Sequence, residues 1–175
     1  MDQRITYREA VSSDAEALLE FLKAVGGESD NLTFGPEGIP FSAEQEAAFL
    51  NRLAESPCSR IFLALDGDRI VGNGSVDGTA NPRFRHRRNL AIAVRRDFWG
   101  RHIGTGLMER MIAFARQTGA EILSLEVRAD NTRAISLYRK FGFVRIGTYK
   151  RFSRIGDEYF DADLMLCDLS EQALA

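Results

Sequence analysis

The stretch LAIAVRRDFWGRHIGTG, residues 90–106, decides the fold of this chain. It begins as an apolar strand, continues through a charged turn and ends in Arg101-x-x-Gly104-x-Gly106, where we expect a helix to begin. Glycines let backbone N–H groups approach a ligand closely, and the start of a helix adds unpaired donors at its positive end. The stretch therefore predicts a cradle for an anionic, phosphate-bearing ligand.

Two familiar phosphate-binding motifs do not fit this stretch. A dinucleotide fingerprint needs a third glycine where Glu109 stands, and a P-loop needs Lys and Ser or Thr where Leu107 and Met108 stand. The remaining glycine pattern is also typical of an ordinary tight turn. Residues elsewhere in the chain are therefore needed to indicate which ligand binds here.

Length and charge limit the classes of protein to consider. With 175 residues we expect one domain, residues 1–175, with a sizeable core. The net charge of −2 argues against a nucleic-acid partner, and we interpret the basic run 83–88 as a strand whose charges divide between two faces. The sequence contains neither an 18-residue apolar run nor the apolar segment of a signal peptide, so we expect no membrane association.

The two cysteines, Cys58 and Cys167, provide neither a disulfide framework nor a metal site. We therefore expect no metal, and reduced thiols in a cytoplasmic protein. A homodimer stays open, because dimers are common among soluble proteins but no segment identifies an interface.

Hydrophobic periodicity and turn residues predict helices interspersed with hairpins. The predicted helices run from a cap at Ser13 or Asp14 to about Val25, from a cap at Ser42 to Pro57, over 104–118, and from a cap at Asn131 to Phe141. The predicted strands are 5–8, 60–65, 69–76, 84–94, 121–128, 143–149 and 159–166. This order indicates an α+β (mixed α/β) fold rather than a doubly wound sheet.

A second block follows the glycine stretch at a fixed distance. It consists of LEVRADN at 125–131, Ala134, Leu137-Tyr138 and Phe141-Gly142-Phe143. The ordered set resembles the Gcn5-related N-acetyltransferase (GNAT) superfamily, and is most similar to small bacterial ribosomal-protein-alanine-type N-acetyltransferases. The resemblance covers 90–149. It implies a GNAT-type acyl-CoA N-acyltransferase fold, with a mostly antiparallel central sheet splayed between strands 4 and 5 and flanked by helices.

The resemblance also implies a cosubstrate, acetyl-CoA, lying in the gap of the splayed sheet. Its pantetheine arm would pair with the open edge of the fourth strand, as an added strand would. Its pyrophosphate would rest on backbone N–H groups, with Gly104 and Gly106 needed because the phosphates contact the backbone. The residues implied to bind it are Ile92, Ala93, Val94, Arg101, His102, Ile103, Gly104, Thr105, Gly106, Asn131, Ala134 and Tyr138.

Acetyl transfer to an amine requires a base for the amine proton and an acid for the leaving thiolate. The resemblance implies that Tyr138 is the acid, because the family's tyrosine here points at the sulfur. For the base we consider Glu126, which relatives also carry in the same context; alternation places it on the face of its strand away from the main apolar layer. His86 and a chain of water molecules remain alternative bases.

The acceptor amine is left open between a peptide N-terminus and a small amine. Family acceptor sites are lined by the first helices, the following loop and the last hairpin. In this chain those segments contain carboxylates that would favour a cationic amine, Glu28, Asp30, Glu37, Asp157, Glu158 and Asp161, and aromatic residues that would form walls or core, Phe34, Tyr149, Phe152 and Tyr159. The alternative function is a non-catalytic acyl-CoA-binding or sensing module on the same fold.

Overall fold

The computed structural model describes residues 5–170. Its strands are β1 Thr6–Glu9, β2 Arg60–Asp66, β3 Arg69–Gly78, β4 Arg87–Val94, β5 Ile122–Arg128, β6 Val144–Ile155 and β7 Glu158–Asp168. Its α-helices are α1 Ala15–Glu28, α2 Ala43–Glu55, α3 Ile103–Gln117 and α4 Thr132–Lys140. None of the helices in this described part is long and apolar enough to cross a membrane.

The seven strands form one sheet in the order β1-β2-β3-β4-β5-β7-β6. Neighbouring strands are antiparallel except β4 and β5, which run parallel. The β4–β5 pairing extends only from Arg87 opposite Ile122 to Asn89 opposite Ser124, although both strands continue beyond it. The two strands therefore separate towards their C-terminal ends, which confirms the predicted mixed, mostly antiparallel sheet splayed between strands 4 and 5.

Alternation along β4 sends successive side chains to two separate cores. Leu90 is buried in the core formed with α3, whereas Ala93 is buried in the core formed with α1 and α2. The α3 side includes Leu107 and Met111, which are fully buried at helical spacing. The helices thus clamp the sheet from both faces and hold β4 in place.

The first helix is longer than the sequence predicts. The sequence predicts that it ends near Val25, but α1 continues to Glu28. A side chain at Gly26 would collide with the carbonyl oxygen of Gly35 in the loop that packs on the helix. This glycine therefore admits a close backbone approach and does not end the helix.

The fourth strand begins later than predicted. The carbonyl oxygen of Asn81 accepts the N–H groups of Phe84 at 2.9 Å and Arg85 at 2.8 Å, so residues 82–86 form turns. The interpretation of the basic run as a strand is therefore wrong for its first residues. It also places His86 before the strand, where its carbonyl accepts the N–H groups at the start of β5. His86 lies at the closed end of the split, about 20 Å along β4 from Ile92.

The last two strands form one long hairpin that turns at Gly156, whose φ is +59°. The sequence predicts only 143–149 and 159–166, because the residues between them lack a clear alternation. The hairpin register shifts twice, between Arg145 and Gly147 and between Tyr149 and Ser153. These irregularities explain why a period-two pattern misses the outer half of β6.

Candidate active site

A cavity of about 600 Å³ lies where β4 and β5 separate. Its walls come from β4, the turn before α3, the first turn of α3, α4 and the end of α1 with the loop that follows. The predicted binding residues that line it are Ile92, Ala93, Val94, His102, Ile103, Gly104, Thr105, Asn131 and Ala134. The fold thus brings nine residues from three separate segments to one cavity.

The edge of β4 that faces the cavity carries backbone groups turned away from the sheet. The N–H of Arg95 donates to the carbonyl oxygen of Val71 on β3 at 2.9 Å. Because peptide groups alternate along a strand, those of Ile92 and Val94 point into the split. An extended, amide-bearing ligand could pair with them as a strand does.

The start of α3 supplies donors for an anion. Its first intrahelical bond runs from the N–H of Gly106 to the carbonyl oxygen of His102, at 3.1 Å. The N–H groups of Ile103, Gly104 and Thr105 precede this bond, so they have no acceptor within the helix. Together with the positive end of the helix dipole, they suit a phosphate.

His102 itself has an unusual backbone. It is the N-cap of α3 with φ 59° and ψ 14°, a left-handed conformation, and its side chain does not cap the helix. A non-glycine residue here carries a conformational cost of order 1–2 kcal/mol. The fold tolerates this cost at a residue that lines the cavity.

The glycines at 104 and 106 have packing roles. A Cβ at Gly104 would lie 2.9 Å from Cδ2 of Leu137, so its absence lets α4 approach α3. A Cβ at Gly106 would collide with the hydroxyl of Tyr7 on β1. Gly106 does not line the cavity.

Trp99 and Arg133 are among the cavity residues that the sequence analysis did not predict. The guanidinium carbon of Arg133, on α4, lies 4.5 Å from the centre of the Trp99 ring, which belongs to the turn before α3. The contact therefore joins the two walls of the split. The available signal was that the chain has one tryptophan, placed in the glycine-containing turn. Arg101, by contrast, points to Phe98, with 4.8 Å from its guanidinium carbon to the ring centre.

Tyr138 lies on α4, which begins after Asn131 as predicted: the Asn131 side chain accepts the N–H of Ala134 at 3.2 Å. The Tyr138 side chain packs against Phe143, with 5.9 Å between ring centres, and only 6% of the residue is exposed. Burial raises the pKa of its hydroxyl well above the ordinary value. The tyrosine is therefore neutral at physiological pH and can only give a proton. It is not among the residues that line the cavity, although its neighbour Leu137 is.

Glu126 lies on β5, opposite Leu164 of β7, on the sheet face away from α3 and α4. Its side chain is exposed and does not line the cavity. The pairing of β5 with β4 ends two residues earlier, at Ser124, so Glu126 adjoins the split. Of the two candidate bases, the structure brings only Glu126 near the open end.

Several carboxylates expected to attract a cationic acceptor have partners within the protein. Glu28 forms an ion pair with Arg95, with 2.7 Å between its Oε1 and the Nε of Arg95, and accepts the N–H of Arg96 at 2.7 Å. In the last hairpin, Asp157 pairs with Arg154 and Asp161 pairs with Lys150. These pairs reduce the negative charge that such an acceptor would meet.

Comparisons with known proteins agree with this geometry. Residues 28–143 match the sequence profile of the acetyltransferase (GNAT) family. The chain is similar to the L-amino acid N-acetyltransferase AaaT of Escherichia coli, with 33% identity over 65% of this chain and 71% of that protein. It is also similar to the N-alpha-acetyltransferase RimI of Mycobacterium tuberculosis, with 36% identity over 62% of this chain and 66% of that protein.

Two solved structures share the fold. A GNAT-family acetyltransferase from Streptococcus pneumoniae superposes with a TM-score of 0.89 and 32% identity, covering 93% of this chain and 98% of that one. The acetyltransferase yncA of Salmonella typhimurium, solved with acetyl-CoA, superposes with a TM-score of 0.82, covering 94% of each chain. Because the two sequences are only 17% identical, this similarity concerns the fold alone.

Proposed function

Since the chain belongs to the acetyltransferase (GNAT) family and is an N-acetyltransferase, we propose that it transfers the acetyl group of acetyl-CoA directly to a primary amine. One observation carries the choice of cosubstrate. The open edge of β4 and the unpaired N–H groups of α3 border the same cavity, which suits a ligand with an amide-bearing arm and a phosphate. Acetyl-CoA would supply the activated thioester.

The chain's own residues would hold the cosubstrate at three places. Backbone groups of Ile92 and Val94 would pair with the pantetheine amides, and the first N–H groups of α3 would receive the pyrophosphate. His102 and Arg101 would add positive charge near the phosphates. Those first N–H groups belong to Ile103, Gly104 and Thr105, and the other proposed contacts are Ala93, Gly106, Asn131, Ala134 and Tyr138.

Glu126 and Tyr138 would handle the two protons. A free alkyl amine has a pKa near 10.4 and must lose its proton before it attacks. Glu126 would take that proton, directly or through water, before the neutral amine nitrogen bonds to the carbonyl carbon, and the proton that the nitrogen loses on becoming an amide would leave by the same route. When the carbon–sulfur bond breaks, Tyr138 would give its proton to the thiolate.

The proposal also covers the domain organisation, location and partners of the protein. The protein would be a single cytoplasmic domain without a metal or a nucleic-acid or membrane partner, and a homodimer stays open. The alternative function is an acyl-CoA sensor on the same fold, which would bind the cosubstrate without turnover.

Thermal unfolding and mass-detected acetyl transfer test the proposal together. Acetyl-CoA at one hundred times its Kd should add about 2.7 kcal/mol to the free energy of unfolding. Transfer is then measured with amino acids, peptides with free N-termini, lysine peptides, polyamines and aminoglycosides. We expect stabilisation and an acetylated amine; stabilisation with no product from any amine supports the sensor, and no stabilisation contradicts the acetyl-CoA site.

A further inference from the structure

The C-terminal half of the sheet has a face turned away from α3 and α4, and the strand register orders its side chains in rows. Because residues directly opposite each other in neighbouring strands share a face, each row crosses β5, β7 and β6. The three rows are Ser124, Leu166 and Val144; then Glu126, Leu164 and Gly147; then Arg128, Ala162 and Tyr149.

The side chains of the middle row stand less far above the sheet than those of the two flanking rows, because its residue on β6 is a glycine. A Cβ at Gly147 would meet nothing within 4 Å, so the space above it is open. Val144 and Tyr149, which end the flanking rows, are 59% and 57% exposed and stand on either side. Leu164, half-buried, forms the floor between Gly147 and Glu126. We call this furrow, bounded by these five residues, the Gly147 groove.

Apart from Glu126 at one end, the groove is bounded by apolar residues. Six of the nine exposed large apolar side chains in the described residues belong to β6 and β7, and Val144 and Tyr149 are among them. Exposed apolar side chains gathered in one region are typical of a binding surface. An apolar ligand group placed above Leu164 would remove this surface from water.

The charges in the three rows also favour a ligand that combines an apolar group with a single amine. Glu126 is their only carboxylate, so a polyamine would find no second anion there. The cation in the rows, Arg128, is held by Asp130 at 2.6 Å, and its guanidinium carbon lies 3.8 Å from the centre of the Phe160 ring. A ligand with one amine and an apolar substituent meets one carboxylate and an apolar floor.

We propose that the Gly147 groove receives the large apolar side chain of an acceptor whose α-amino group lies at Glu126. The proposal rests on the proposed function, since the role of Glu126 as the base determines where the reacting amine of the acceptor lies. The acceptor has two sources with the same chemistry, a free apolar amino acid or a peptide that begins with one. The groove reaches β6, the edge strand of the sheet, so either source can enter it.

Filling the groove tests this assignment. Gly147 has no positive φ and open space above it, so Gly147→Val should fold normally. The acceptors are free L-leucine and L-alanine, two peptides that differ only in a first Leu or Ala, and spermidine. We expect the wild type to prefer leucine over alanine by roughly tenfold or more in kcat/KM, in free or peptide form. Gly147→Val should remove that preference while leaving the KM for acetyl-CoA unchanged.

Ile155→Ser is the matched control, because it changes an exposed apolar residue of the same strand outside the three rows. It should leave the leucine preference intact. Two outcomes would contradict the role of the groove and leave the proposed function standing. One is turnover by Gly147→Val with an unaltered leucine preference, and the other is a preference for spermidine over every α-amine. Absence of turnover with any amine would overturn both. Leucine preference confined to the free amino acids, or to the peptides, supports the groove and identifies the source.

Discussion

The indole N–H of Trp99 donates to the carbonyl oxygen of Val94 at 2.8 Å. That carbonyl belongs to the edge of β4 which faces the split, so the tryptophan covers one of the acceptors offered to a ligand. Arg133, which belongs to α4 on the other side of the split, stacks against the same ring. A ligand that pairs with the edge of β4 therefore has to lie beside Trp99, and it should alter the surroundings of the indole.

We expect the fluorescence of the protein to report cosubstrate binding, because Trp99 is its single tryptophan. Titration with CoA should change the emission in a saturable way, with a midpoint equal to the Kd measured by calorimetry. Trp99→Phe, which keeps an aromatic ring but removes the N–H, should abolish the signal. Binding seen by calorimetry without any change in emission would contradict the placement of the ligand beside Trp99.

The strained backbone of His102 predicts opposite effects on stability and binding. His102→Gly relieves the left-handed conformation, and after the entropy of the unfolded chain is counted it should raise the free energy of unfolding by up to about 1 kcal/mol. At this chain length that corresponds to roughly 2–4 °C in Tm. The variant should also bind acetyl-CoA more weakly, because an imidazole is lost from the cavity.

His102→Ala is the control for this prediction. It removes the imidazole but keeps the strain of a Cβ at a positive φ, so it should weaken binding without the gain in Tm. Differential scanning calorimetry of the free proteins and the KM for acetyl-CoA are the measurements. Equal affinity of all three proteins for acetyl-CoA would show that the side chain does not contribute to binding.

The sequence predicted the helices around the split well because their signals are local. Asn131 caps α4 as expected, and α3 begins within one residue of the predicted position. The separation of β4 from β5 came from the resemblance, since no local pattern states where two distant strands stop pairing. The contact of Arg133 with Trp99 joins segments more than thirty residues apart, and nothing in either segment indicates the other.

The glycines show that a residue can have a packing role that its sequence context does not indicate. The sequence predicts Gly104 and Gly106 as parts of a phosphate cradle, and the structure adds that both, like Gly26, lie where another part of the chain comes close. A sequence shows that a side chain is absent without showing which neighbour requires its absence. The Gly147 groove escaped the sequence for a related reason, since its rows are defined only by the register across three strands.

The packing of Gly106 against Tyr7 predicts a specific rescue. Gly106→Ala should destabilise the protein by about 1–3 kcal/mol, because the new methyl group overlaps the tyrosine hydroxyl. In a Tyr7→Ala background the same change should cost much less, since the ring is gone. Chemical denaturation of the four proteins gives the coupling energy between the two sites. Additive effects of the two substitutions would contradict direct contact.

The hydroxyl of Tyr138 can be removed without disturbing its ring. Tyr138→Phe keeps the packing against Phe143, so we expect a nearly unchanged Tm and KM for acetyl-CoA. If the hydroxyl protonates the leaving thiolate, kcat should fall by about a hundredfold or more. Because burial raises the pKa of Tyr138, the acid keeps its proton up to and beyond the ordinary tyrosine value of 10.0, and wild-type kcat should show no alkaline decline below that pH from this group. A Tyr138→Phe variant with wild-type kcat would instead assign the residue to the core, and the thiolate would then leave without its help.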